Sequence, residues 1–103
     1  MTQLKMEQVS YFRVDCADLE QFIIEMLGVR EDFSVAALLE AGNDTQHEIV
    51  PARLKRNDDQ YNEVVAWRAD PNGVAPPSLP VIMGWMVVNG LIEHETYMVD
   101  ICW

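Results

Sequence analysis

Apolar positions recur at two different periods along this chain, and the switches between them mark its elements. Val9 to Val14 (VSYFRV) is rich in β-branched and aromatic residues and reads as a strand. Asp15 then offers an N-cap, with Asp18 at the N3 position of a capping-box-like pattern. Leu19, Phe22, Ile23, Met26 and Leu27 follow at spacings of three and four, which places them on one face of a helix. Gly28 is a natural stop for that helix. Its opposite face carries Asp18, Glu20, Gln21 and Glu25 and no base.

Further on the period is less decisive. FSVAALLE, residues 33–40, suits helix or strand by composition, but the turn signal from Ala41 to Thr45 and the HEIV that follows favour a hairpin with strands near 33–40 and 46–54. Asn57-Asp58-Asp59 marks another turn. Tyr61 to Ala69 (YNEVVAWRA) then reads as a strand, with Tyr61, Glu63, Val65 and Trp67 sharing a face. Asp70 to Pro80 holds four of the five prolines, so it is a loop that separates this meander from the C-terminal section. There, Val81–Val88 and Leu91–Cys102 flank Asn89-Gly90, a strong two-residue hairpin signal. Tyr97, Val99, Ile101 and Trp103 fall on one face of the second arm. A helix from about residue 79 to 92 is the competing reading. The sum is one α+β domain over residues 1–103, in the order β-α-β-β-β-β-β, with an amphipathic helix packed on a mostly antiparallel sheet.

Composition supports that outline. A chain of 103 residues suits a single domain, and with half of them apolar it can bury a core. Val81–Val88 is too short an apolar run to span a bilayer, and Lys5 and Arg13 flank no signal-peptide core. A cytoplasmic location is the expectation, and in that setting Cys16 and Cys102 read as buried thiols.

Charge changes the picture more. Seventeen acids against seven bases give a net charge of −10. Such a surface repels nucleic acid and anionic membranes and attracts basic proteins. Four of the bases lie between Arg53 and Arg68, and on adjacent strands Arg53, Lys55 and Arg68 would form a basic patch.

Candidate chemistry is sparse. His47-Glu48 and His94-Glu95, with Glu93, supply imidazole and carboxylate but lack metal-ligand spacing, and solvated strand residues are the better reading. Cys16 stands at a helix start, where the dipole favours thiolate, but Asp15 and Asp18 oppose it. Gly42, Gly73 and Gly84 are isolated and build no phosphate loop. Trp67, Trp85, Trp103, Tyr11 and Tyr61 suit a core first and a pocket or interface second.

In size and charge the chain resembles phage anti-restriction and anti-CRISPR proteins and nuclease immunity proteins, by composition alone and through no shared motif. The expectation is therefore a small acidic inhibitor that acts without catalysis or cofactor. It would block a basic, nucleic-acid-binding or -cleaving protein by presenting Asp18, Glu20, Glu25, Glu93 and Glu95 to Arg and Lys. Direct nucleic-acid and membrane binding are not expected. The alternative is a self-assembling or adaptor protein, a homo-oligomer for example, that uses the C-terminal apolar hairpin as its interface.

Overall fold

The computed structural model describes residue 4 and residues 7–8, 11–39 and 45–101. Along the chain it runs β1 (Glu7–Gln8), β2 (Phe12–Asp15), α1 (Cys16–Leu27), α2 (Val35–Leu39), β3 (Gln46–Ile49), α3 (Asp59–Ala69), α4 (Leu79–Val88) and β4 (Tyr97–Asp100). The α+β class holds. The element order holds only in part, because three segments expected as strands are helices.

The first helix forms as its sequence directs. Asp15 is extended and its carboxylate accepts the Ala17 N–H at 2.8 Å, while Gly28 turns left-handed at φ 68° and donates to the Ile24 carbonyl. Leu19, Phe22, Ile23 and Leu27 are buried. Residues 35–39 follow the helix propensity of Ala-Ala-Leu-Leu instead of pairing with 46–54. Two caps settle the matter: the Ser34 hydroxyl accepts the Ala37 N–H, and the Glu20 carboxylate accepts the Val35 N–H at 2.9 Å.

Residues 61–69 are also helical, and the reason is what a strand would have buried. Strand alternation puts Glu63 on the same face as Tyr61 and Trp67. The helix instead buries Tyr61, Val64 and Trp67, with no charge among them, and leaves Val65 45% exposed. The expected strand near 46–54 ends at Ile49, beyond which residues 50–55 lie over α4 as an extended strap.

The C-terminal hairpin is replaced by α4. Ser78 begins it, Pro80 fits its first turn, and every residue from Val81 to Met86 is buried, as befits a helix that is apolar all round. Asn89-Gly90 ends this helix and turns no hairpin. Gly90 is left-handed at φ 73°, its N–H donates to Val87, and the Leu91 N–H donates to Met86, the paired bonds of a Schellman stop. The apolar surface on which the self-assembly reading relied is thus core.

Since α4 fills the place of a hairpin arm, the chain crosses back before β4 starts. β4 therefore lies parallel to β2, Phe12 against Tyr97 and Val14 against Val99, and antiparallel to β3, His47 against Val99. The sheet is mixed, so the expected antiparallel character holds in part: β2, β4 and β3 form three strands with a parallel pair at the centre, and the two-residue β1 adds an antiparallel edge beside β2. Val14, Ile49, Tyr97 and Val99 share the inner face and pack under the helices. Ile101 continues that alternation; Cys102 and Trp103 lie outside the described residues. On the outer face Arg13 pairs with Asp100 at 3.0 Å, and the Gln46 amide donates to the other Asp100 oxygen.

Glycine is required at one close approach. A Cβ on Gly84 would stand 2.3 Å from the Ala52 carbonyl oxygen and 3.1 Å from Leu54. The strap can lie on α4 because that position is bare, and the Ala52 N–H fastens it to the Pro80 carbonyl.

Candidate functional site

Two surface features stand out: the charged exterior and a concave surface beside α3. The exterior is dominated by what its cations do. Arg13 is paired with Asp100, and Arg30 grips Asp32 through two parallel bonds of 2.9 and 2.7 Å. Arg56 donates to the Tyr61 hydroxyl at 3.0 Å. Arg68 donates Nε to the Leu27 carbonyl, at the end of α1, and sets its guanidinium 4.7 Å over the Trp85 ring. Only Arg53 and Lys55, both exposed on the strap, hold no such partner among the described residues. The expected basic patch on adjacent strands is not built, since Arg68 stands on α3 and the others on the strap.

The five carboxylates expected to face a partner are not equivalent. Asp18 and Glu25 are exposed on α1, Glu25 accepting from Gln21 at 3.3 Å. Glu20 is half-buried, and its carboxylate is spent on the first turn of α2. Glu93 and Glu95 are exposed just before β4. Both sit near the buried Tyr97 hydroxyl, which donates to the Glu93 carbonyl. Burial first, then the charges of Glu93 and Glu95, push the Tyr97 hydroxyl up from 10.0 to about 12, against the pull of its backbone bond. The parallel register puts Tyr97 beside Phe12, at the end of β2 remote from α1's start. Asp18 and the Glu93–Glu95 pair consequently stand at opposite ends of the β2–β4 pair.

The histidines are separate. His47 is on β3, and the His94 Nε2 lies 2.9 Å from the Pro51 carbonyl, so it carries a proton and donates it there. Among the described residues no three His, Cys, Asp or Glu side chains are grouped to hold a metal ion. Cys16 is buried at the start of α1. Among the described residues no helix is long and apolar enough to cross a membrane.

The concave surface was hidden from the sequence because its walls come from three separate segments. A cleft of about 490 Å3 lies between the turn after α1, the last turns of α3 and the 71–76 loop. Phe33 and Trp67, ring centroids 5.3 Å apart, form its floor. Val74, Ala75 and Pro76 form one wall, and the Arg30–Asp32 pair stands at the rim. The same three wall residues border a second cleft of about 370 Å3, closed by Glu63, Ala66 and Pro77. The one available signal was the proline-rich loop together with Trp67. Comparison of the chain with protein-family models, curated proteins and solved structures finds no match in any of the three.

Proposed function

We propose that this protein acts by binding: it docks its acidic exterior on the positively charged, nucleic-acid-facing surface of another protein and blocks that surface. One observation carries the reading. In a chain of net charge −10, Arg13, Arg30, Arg56 and Arg68 are all committed inside the molecule, while Asp18, Glu93 and Glu95 are exposed with no side-chain partner among the described residues. A field of that kind raises the encounter rate with a cationic partner and penalises anionic ones. Because Asp18 and the Glu93–Glu95 pair lie at opposite ends of the sheet, the attraction is that of the summed charge and not of a single row of carboxylates. Arg53 and Lys55 mark the part of the surface that would face away.

The test is affinity capture from host lysate, followed by reconstitution with the purified protein that is captured. Affinity should fall at least about tenfold as salt rises from about 0.05 to about 0.5 M, since the screening length then shortens to less than half. Reversing Asp18, Glu93 and Glu95 together to lysine should weaken binding further. A dissociation constant indifferent to both salt and reversal would sink the reading.

A further inference from the structure

The two clefts beside α3 differ in charge, and the difference specifies an occupant. In the larger, the only ions among the described residues are Arg30 and Asp32, which cancel through their two-bond pair, so the aromatic floor of Phe33 and Trp67 offers an apolar seat. In the smaller, Glu63 is the only ionisable group among the described residues and the remaining lining is Ala, Val and Pro. Apolar walls with one exposed carboxylate suit the aliphatic stem and charged head of lysine or arginine. Glu63, Ala66 and Trp67 lie three and four positions apart on α3, so the two seats follow one side of that helix.

The shared wall is already in place. The Gly73 N–H donates to the Asp70 carboxylate at 3.0 Å and the Val74 N–H to the Asp70 carbonyl at 2.9 Å, which ties the loop to the end of α3. A Cβ on Gly73 would meet only the Asp70 side chain, whose carboxylate comes within 2.3 Å and already holds the Gly73 N–H. Pro76 and Pro77 add rings with no rotamer freedom to lose on binding. A cleft built this way gains affinity by needing little ordering.

We infer that the paired clefts seat an extended basic segment of the partner, an apolar side chain on the Phe33–Trp67 floor and an arginine or lysine two positions away beside Glu63. Side chains two apart in an extended chain point the same way about 6.6 Å apart, which suits neighbouring seats with a common wall. This assignment rests on the reading of the protein as a binder of a basic partner, and it adds the chemistry of the segment bound.

The probe is the capped pentapeptide Arg-Gly-Leu-Gly-Arg, which offers the spacing in both directions, titrated at low salt into the 15N-labelled protein. Shifts should concentrate at the Trp67 indole N–H, Gly73, Val74 and Ala75. Replacing both arginines by citrulline, or leucine by glycine, should each weaken the effect several-fold. Glu63→Gln should weaken binding about fivefold, and Ala75→Trp, which fills the wall side of both clefts at an exposed site, should abolish it. Absence of shifts, shifts centred on Asp18 or Glu93 and Glu95, or binding unchanged in both variants overturns the assignment. The two failures are separable with the intact partner: if Ala75→Trp has no effect but salt still weakens the complex, the cleft assignment falls and the electrostatic reading stands. If salt has no effect, the electrostatic reading falls.

Discussion

The segment from Phe12 to Leu27 is a strand followed by a helix, and that from Leu79 to Asp100 is a helix followed by a strand. Their strands lie side by side in parallel at the centre of the sheet. Yet they are written differently. In α1 a buried stripe alternates with acids, and the element can be read from its pattern. In α4 the residues from Val81 to Met86 are all buried, with α2, α3 and the 50–55 strap packed around it. A helix with one wet side shows its period; a helix enclosed on all sides has none to show.

The sharpest way to break this comparison is through the glycine of each segment. Gly84→Ala should destabilise the protein by about 3 kcal/mol, as the new methyl meets the Ala52 carbonyl, a backbone atom that cannot swing away. Gly28→Ala has open space around it and should cost only about 1 kcal/mol, the strain of a left-handed alanine. Urea denaturation of both variants checks the order, and equal losses would show that the strap does not press on α4 as described.

The caps should separate next. Asp15→Ala removes a side-chain bond to the Ala17 N–H and should cost about 1 kcal/mol, whereas Ser78→Ala removes no such bond and should cost at most a few tenths. Thermal melts of the pair would measure the difference.

The last contrast is confined to the second segment and shows only at high pH. Tyr97 ionises at about 12 in the folded protein and near 10.0 when freely exposed. Between those values the unfolded chain releases a proton that the native state keeps, so stability from this group is complete below about pH 10 and is lost as pH rises through about 12. Denaturation midpoints of the parent protein should fall more steeply across that window than those of Tyr97→Phe. Glu93→Gln with Glu95→Gln should move the window downward.

The same contrast accounts for what was legible. Asp15, Gly28 and the stripe between them announced α1, and the alternation of Tyr97, Val99 and Ile101 announced β4. Tyr61, Val64 and Trp67 fit a helix as well as their neighbours fit a strand, and the burial of a charge decided between them only in three dimensions. Asn-Gly at 89–90 is compatible with a hairpin turn or a helix stop, and the residue preceding it chooses neither. Of the five carboxylates expected at the surface, Asp18, Glu25, Glu93 and Glu95 are exposed, whereas Glu20 turns to the Val35 N–H, a partner that exists only once α2 folds. The clefts could not be named, since Phe33, Trp67 and Val74 meet through packing and share no motif.

The strap over Gly84 also bears on how the chain must come together during synthesis. Residues 50–55 emerge from the ribosome well before the helix they lie on, and β2 emerges about 85 positions before β4, its parallel neighbour. Neither early segment has its distant neighbour until most of the polypeptide is out, so maturation should be late and all at once, with slow kinetics typical of distant pairings.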